Sequence, residues 1–161
     1  MHEQLKNAIN LREKGSLNES NELLIKLVNE YPKSALINFH CAWSYDVLGK
    51  EAKAVLYYEK AIQLGLTDED LESALIGLGS TYRTLGQYDN SKRTFQKAIE
   101  LFPNNKAFQV FYAMTLYNLK HHHEAMSLLL RCIAETTQDQ NIIAYKKAIE
   151  FYSNKLDETW K

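Results

Sequence analysis

The chain has little proline and cysteine, and neither sign of charge is in excess. Its 161 residues include two prolines and two cysteines, and 19 Lys and Arg stand against 20 Asp and Glu, a net charge of −1. Because no basic stripe complements a phosphate backbone, we predict no nucleic-acid partner. Cys41 and Cys132 lie in different segments. They are predicted to be small buried side chains in a reducing compartment rather than a disulfide.

Long apolar runs are also missing. The sequence has no run of 18 apolar residues and no basic-then-apolar leader at its first residues. These absences predict neither a membrane span nor a signal peptide, and we expect a cytoplasmic protein without a membrane partner. The length suits one domain that buries a continuous core.

What the sequence does contain is a set of small residues that recurs at a period of about 34. A helix that lies close against its neighbour needs a small side chain at the crossing, and a tight turn between helices needs a residue that tolerates positive φ. Each unit is therefore predicted to be two antiparallel helices. The recurring small residues are Ala8, Ala42, Gly79 and Ala113, then Ser20, Ala54, Ser91 and Ala125, with turn glycines at Gly15, Gly49 and Gly86 and closing prolines at Pro32 and Pro103.

The third unit carries the pattern most cleanly, with Leu75, Leu78, Gly79, Tyr82, Gly86, Tyr88, Ser91, Phe95, Ala98 and Pro103. In these residues it resembles the tetratricopeptide repeat. The resemblance implies an all-α fold, a right-handed α-solenoid of four helix-turn-helix repeats at about 1–34, 35–71, 72–105 and 106–139 in a single domain 1–161. It also implies protein–protein interaction without catalysis or a cofactor. Through the motifs Leu-Thr-Asp-Glu-Asp-Leu (66–71) and Ala-Met-Thr-Leu-Tyr-Asn-Leu (113–119), the last two units look like a group of small bacterial tetratricopeptide proteins.

Two repeats depart from the pattern. The second unit lacks its closing proline, and Thr67 is a predicted N-cap followed by acidic residues that suit a helix N-terminus, so we expect the next helix to start early and run long. In the fourth unit Lys120 replaces the turn glycine. A residue other than glycine costs about 1–2 kcal/mol in left-handed geometry, so we expect that turn to be rearranged.

The C-terminal stretch of about 140–158 is predicted to be one amphipathic capping helix. Its apolar residues recur at spacings of three and four, which places them on one face of a helix. We expect this helix to cover the exposed edge of the last repeat. The alternative is that it docks elsewhere or onto another protomer. The residues of the face are Ile142, Tyr145, Ile149, Tyr152 and Leu156.

Motifs of enzyme chemistry are weak. Gly77-Leu78-Gly79 lacks the third glycine and the preceding strand of a nucleotide-binding loop. His121-His122-His123 beside Glu124 is the one metal-like cluster, but no second pair of ligands stands at a matching spacing, so a solvated turn is the favoured interpretation over a metal site. We therefore predict no enzyme, no catalytic residue, no metal and no cofactor.

The resemblance implies a concave groove lined by the first helix of each repeat. The positions with which the family holds a chaperone's C-terminal carboxylate carry Leu5, Ile9, His40, Ser73 and Gly77 here, so that clamp is absent. What remains is a groove with apolar and aromatic residues, which is typical of contact sites. The predicted partner-binding residues are Phe39, Trp43, Asp46, Ile76, Ser80, Arg83, Val110, Met114 and Tyr117.

Two alternatives stay open from the sequence. Phe39 and Trp43 lie one turn apart, so either could belong to the core, whereas Met114 and Tyr117 are the stronger candidates for exposure. In function, the leading hypothesis is an adaptor that binds a protein or peptide segment in the groove. The alternative is a homo-oligomer, such as a homodimer, whose groove or C-terminal helix makes the self-contact.

Overall fold

The computed structural model describes residues 1–160, and within that range it contains ten α-helices and no strand. The chain forms two compact units, Met1–Thr94 and a second that begins at Phe95, with the boundary inside α6. Its assignment to a single domain therefore stays a prediction. The helices are α1 (His2–Glu13), α2 (Leu17–Glu30), α3 (Ala35–Asp46), α4 (Glu51–Leu64), α5 (Asp68–Thr84), α6 (Tyr88–Leu101), α7 (Lys106–Asn118), α8 (His122–Thr136), α9 (Gln140–Ala144) and α10 (Lys146–Tyr152).

The predicted small residues do lie at helix crossings. All eight are buried, and Ala8, Ala42 and Ala54 have no exposed surface. In the first repeat the Ser20 hydroxyl donates a hydrogen bond to the Ala8 carbonyl (2.7 Å), which joins α1 and α2. Helices α1 and α2 pack together, as do α3 and α4, and α7 and α8. The helix-pair architecture predicted from the periodicity is therefore confirmed.

The outer face of α1 is solvated, as expected for a terminal repeat. Gln4 and Asn7 are exposed, whereas Leu5 and Ala8 on the same helix are buried. In the first compact unit the core continues from these residues through Leu24, Leu27, Ile37, Phe39 and Tyr58 to Leu78 and Tyr82.

The four turns inside the repeats share one hydrogen-bond pattern. At each turn a residue with positive φ donates its N–H to the carbonyl three residues earlier, and the next N–H reaches back five residues. This is a Schellman motif, which satisfies the last carbonyls of the first helix. The five-residue bonds are Ser16 to Leu11 (2.9 Å), Lys50 to Tyr45 (2.9 Å), Gln87 to Tyr82 (2.8 Å) and His121 to Leu116 (2.9 Å).

The prediction of a rearranged turn at Lys120 is wrong. Lys120 adopts φ 68°, and its N–H donates to the Tyr117 carbonyl (3.0 Å) as the glycine does in the other repeats. The repeat geometry is thus kept although the backbone strain of a left-handed lysine remains. Packing of α7 on α8 fixes the turn, and the local preference of one residue is too small to change it.

The prediction for α5 is confirmed. The helix begins at Asp68, directly after the N-cap Thr67, and runs for 17 residues with three acidic side chains in its first turn. The Thr67 hydroxyl donates to the Asp70 carboxylate (3.0 Å) instead of capping a backbone N–H. Gly77 and Gly79 lie inside this helix, which is not the strand–turn–helix setting of a nucleotide-binding loop.

The predicted helix over 140–158 is instead two short helices. Tyr145, at φ −102° and ψ 10°, ends α9, and α10 ends at Tyr152. Helix α10 packs against α8, the last helix of the fourth repeat. Within the predicted apolar face, however, only Ile142 and Ile149 are half-buried, whereas Tyr145 is 69% exposed and Tyr152 and Leu156 are also exposed. The break rotates part of the face toward water.

Candidate functional site

The first compact unit brings together side chains from the first helices of three repeats. Helix α3 contacts both α1 and α5. Along α3, Phe39, His40, Trp43 and Asp46 recur at spacings of one helical turn or less, so they lie on adjoining parts of its surface. This arrangement places the α3 side chains next to residues of the helices on either side.

Three aromatic rings on α3 lie close together, and one of them, Trp43, is exposed whereas Phe39 is buried. The centroid of the Trp43 ring lies 5.9 Å from that of Phe39 and 6.3 Å from that of His40, and the His40 and Trp43 rings are nearly parallel. Trp43 is 41% exposed, whereas Phe39 is 3% exposed and also contacts Tyr58. Phe39 is therefore a core residue, which corrects its prediction as a groove contact. It supports Trp43 from below.

Arg12 of α1 contacts the Trp43 ring of this group, and it is missing from the sequence-predicted set. Its guanidinium carbon lies 3.9 Å from the centroid of the Trp43 ring, a cation–π contact. Half of the side chain is buried, and burial lowers the pKa of the guanidinium from its usual value. The one signal in the sequence is a basic residue in the last turn of α1. We name Arg12, Phe39, His40 and Trp43 the Trp43 cluster.

His40 is a neutral member of the Trp43 cluster. Burial and the positive charge of Arg12 lower its pKa to about 4, against a smaller opposing influence of Asp70. At neutral pH the imidazole is therefore uncharged, and its Nδ1 is buried without a hydrogen-bond partner among the described residues. The positive charge of the cluster belongs to Arg12 alone.

Asp46 is an internal bridge rather than a free groove charge. Its carboxylate accepts hydrogen bonds from the Tyr58 hydroxyl (3.2 Å) and from the Thr81 hydroxyl (3.1 Å), which ties α3 to α4 and α5. Burial raises the pKa of this carboxyl, although the two hydrogen bonds oppose the shift. The Tyr58 ring lies directly against Gly77, where a Cβ would overlap it. A glycine inside α5 is thus explained by the close approach of Tyr58.

The predicted residues of α5 are half-buried. Ile76, Ser80 and Arg83 each keep part of their surface in solvent. The Ser80 hydroxyl oxygen is buried and has no hydrogen-bond partner within the described chain. Their exposed fraction is thus smaller than that of Trp43.

In the second compact unit, the predicted residues lie on α7. Met114 is 40% exposed and Tyr117 is 62% exposed, whereas Val110 is half-buried. The Tyr117 ring makes an edge contact with His122, at 4.6 Å between centroids. The expectation that Met114 and Tyr117 are exposed is thus confirmed, although their role in binding stays a prediction.

The histidine turn opens onto a shallow depression of about 640 Å³ in the second unit. The Nδ1 atom of His121 lies 3.3 Å from the Glu124 carboxylate, and that of His123 lies 3.2 Å from the Asp157 carboxylate. Among residues 1–160, no group of three or more His, Cys, Asp or Glu side chains is placed to hold a metal ion.

The two cysteines are both free and buried. Burial raises the pKa of the Cys41 thiol to about 12, so it is protonated at neutral pH and is not a nucleophile.

None of the helices in the described part of the chain combines the length and the apolar character that crossing a membrane requires.

Residues 34–156 match the family described as the tetratrico peptide repeat. The chain belongs to the tetratricopeptide repeat (TPR) family. The match begins after the first helix pair, and the structure shows that α1 and α2 form the same kind of pair and end their turn in the same Schellman motif. The all-α fold class and the TPR assignment made from the sequence are therefore confirmed.

Two curated yeast proteins are similar to part of this chain. Over 106 residues the chain is 26% identical to Superkiller protein 3 of Saccharomyces cerevisiae, which covers 62% of this chain and 7% of that protein. Over 101 residues it is 28% identical to the anaphase-promoting complex subunit CDC16 of the same yeast. This match covers 61% of this chain and 12% of that protein. The chain thus spans a small fraction of these curated relatives.

Among solved structures, the chain is similar to YrrB, described as a TPR protein with an unusual peptide-binding site. The two share 20% sequence identity at a TM-score of 0.72, over 96% of this chain and 77% of that chain. TPR proteins generally mediate protein–protein interaction and are typically non-catalytic scaffolds.

Proposed function

We propose that this chain is a non-catalytic adaptor that holds a segment of a partner protein on the surface of its first helices. The observation that carries the proposal is Trp43, a large aromatic side chain that is 41% exposed and yet held in place by Phe39, His40 and Arg12. An exposed ring that is already ordered binds at a lower entropic cost than a mobile one.

The energetic case rests on the area that a partner would cover. At about 25 cal/mol per Å², burying roughly 100 Å² of ring surface is worth about 2–3 kcal/mol before association costs. Tryptophan and tyrosine are also the side chains that most often dominate binding energy. Met114 and Tyr117 give the second unit a comparable exposed pair on α7, so they are the next residues that we propose as contacts.

The chain offers a matched control for testing this proposal. Trp43 and Trp160 are both exposed, at 41% and 59%, but only Trp43 lies on the first helix of a repeat. A random-peptide display library would be selected against the wild type, and the enriched peptides would be measured by calorimetry. Peptides are a reasonable probe because the structurally similar YrrB is described with a peptide-binding site.

We expect Trp43→Ala to weaken these peptides about tenfold or more and Trp160→Ala to leave them unchanged. The double variant Met114→Ala with Tyr117→Ala tests the second pair in the same way. Circular dichroism would verify that each variant is folded. Equal affinity for wild type and Trp43→Ala would remove Trp43 from the site, and a library without enriched peptides would reject peptide binding.

A second candidate function is self-association, and one observation favours it. The C-terminal segment exposes Tyr145 and groups three aromatic rings, with centroids of Phe151, Tyr152 and Trp160 within 6.3 Å of one another. An exposed aromatic group of this kind is typical of a contact surface. The self-contact would be isologous in a twofold dimer.

Sedimentation equilibrium across about a hundredfold dilution separates the two functions, because mass action populates a dimer only at the higher concentrations. A dimer that Phe151→Ala and Tyr152→Ala dissociate would assign the self-contact to the C-terminal segment. A dimer disturbed only by Met114→Ala and Tyr117→Ala would place it on α7. A monomer at all concentrations would reject self-association and leave the adaptor.

A further inference from the structure

Arg12 is a half-buried cation that has no hydrogen bond or ion pair among the described residues. Its Nη1 is buried and has no hydrogen-bond partner among the described residues. Leaving a charged donor unsatisfied is costly, and guanidinium groups in partly buried sites are normally paired with carboxylates. The guanidinium carbon lies 3.9 Å from the centroid of the Trp43 ring, so this contact restricts where the charged group can lie.

The surroundings leave this charge available. His40 is neutral at pH 7 because its pKa is lowered to about 4. The Asp46 carboxylate is engaged by Tyr58 and Thr81. Glu13 influences Arg12 electrostatically without forming an ion pair with it, and Asp70 acts on His40. None of the acidic groups that face the Trp43 cluster therefore neutralises Arg12 by direct contact.

Apolar surface continues from the cluster along α3. Val47 follows Trp43 by one helical turn and is 42% exposed. The exposed surfaces of Trp43 and Val47 therefore offer an apolar contact to a segment that binds at Arg12. The complementary chemistry is an acidic side chain next to an apolar one in the same segment.

We infer that Arg12 and Trp43 form a subsite for a side-chain carboxylate, Asp or Glu, that neighbours an apolar residue in a partner peptide. The inference rests on the proposed function and specifies the chemistry of the partner. A side-chain source is favoured over a chain terminus because the positions of the family's terminal-carboxylate clamp carry Leu5, Ile9 and Gly77 here. A terminal carboxylate would end the segment at Arg12, whereas a side-chain carboxylate lets the segment continue over the exposed apolar surface of Trp43 and Val47.

The test uses the peptides enriched by display on the full chain. We expect Asp or Glu beside an apolar residue in the enriched set. In a synthetic, end-capped peptide of that set, replacing the acid by its amide isostere should weaken binding to the wild type about tenfold or more, the range of a charge-assisted hydrogen bond. The same replacement should change binding to Arg12→Gln little, because the cycle isolates the pair.

Two controls keep the outcome interpretable. Arg12→Lys retains the charge but not the planar fork, so it should recover part of the affinity. Arg93→Gln removes an exposed arginine that donates to Asn90 on α6 and should leave peptide affinity unchanged. A peptide with a free C-terminus and no acidic side chain tests the other carboxylate source.

The outcomes separate the inference from the proposed function. Peptides that need Trp43 but show no acidic preference would overturn the carboxylate subsite and leave the adaptor function intact. An amide replacement that weakens wild type and Arg12→Gln equally would overturn it too, as would binding that depends on a free C-terminus alone. A library that yields no binding peptide would reject the proposed function itself.

Discussion

The two compact units expose aromatic side chains in different ways. In the first unit Trp43 lies over buried Phe39 and against Arg12, and polar groups are joined across helices, as in the hydrogen bond from Asn21 to Ser44 (2.8 Å). In the second unit Tyr145, Phe151 and Trp160 are exposed on short helices or beyond them. Exposure alone therefore does not mark a site. An exposed ring with a buried support is the better anchor, because it is ordered before a partner arrives.

The surface charges differ between the units as well. In the second unit Lys106 and Glu135 (2.5 Å) and Lys146 and Glu150 (3.8 Å) form ion pairs between side chains that are partly exposed to solvent. Such pairs contribute little, about 0–1 kcal/mol each. In the first unit Arg12 is half-buried on an aromatic ring without a carboxylate partner. A charge that is already partly desolvated and unpaired gains more from a ligand than one that is already paired in solvent.

The largest expected loss of stability comes from removing Phe39, the buried ring that packs against Trp43. Phe39→Ala should lower the free energy of unfolding by about 3–5 kcal/mol, because it leaves a cavity beneath the cluster. Phe151→Ala, at a residue that is 50% exposed, should lower it by about 0.5 kcal/mol or less. Urea denaturation followed by circular dichroism measures both. Similar losses for the two variants would mean that burial does not distinguish the units.

The next prediction concerns pH and the neutral His40. Its pKa is about 4 in the folded chain and about 6.5 when unfolded, so the unfolded chain binds more protons between these values. Stability from this group is thus complete above about pH 6.5 and is lost as the pH falls through about 4. Since the side chain keeps some solvent contact, we expect a loss of about 1–2 kcal/mol.

His40→Phe keeps an aromatic ring against Trp43 and removes the titration. As the pH falls from 7 to 4, the unfolding free energy of the wild type should therefore decrease by more than that of His40→Phe. Urea denaturation at each pH measures both decreases. His122→Gln, at an exposed histidine, is the matched control, and its acid dependence is compared with that of the wild type. An unchanged acid dependence in His40→Phe would assign the effect to other groups.

The sequence predicts those features that depend on local sterics. Ala8 and Ala42 are small because helices cross there, and Gly15 and Gly49 have positive φ because the turns require it, so both signals recur with the repeat. The contact of Arg12 with a ring on another helix carries no such signal. It depends on how α1 and α3 are placed, which neither the charge nor the periodicity of either helix encodes.

For a related reason, the sequence does not decide which of Phe39 and Trp43 is buried. The two residues are one turn apart, so a modest rotation of α3 about its axis decides which ring is buried. The sequence does not indicate the helix break at Tyr145 either, since no glycine or proline accompanies it. The terminal segment follows the surface of α8, on which α10 packs, and its helix period alone does not report that surface.

The smallest expected change in stability concerns the turns, where a lysine in the second unit is compared with the glycines of the first. Lys120 has φ 68° in the second unit, where Gly15, Gly49 and Gly86 take the same role elsewhere. Lys120→Gly should raise the free energy of unfolding by about 1 kcal/mol, because relief of left-handed strain exceeds the added entropy of the unfolded chain. Gly86→Ala should lower it by a similar amount, since no atom within 4 Å would clash with the new Cβ and only φ opposes it. Urea denaturation of both variants measures the same backbone cost in opposite directions. A stabilised Lys120→Gly beside a neutral Gly86→Ala would mean that the strain is particular to the fourth turn, whereas no change in either would mean that the Schellman geometry adapts to its residue.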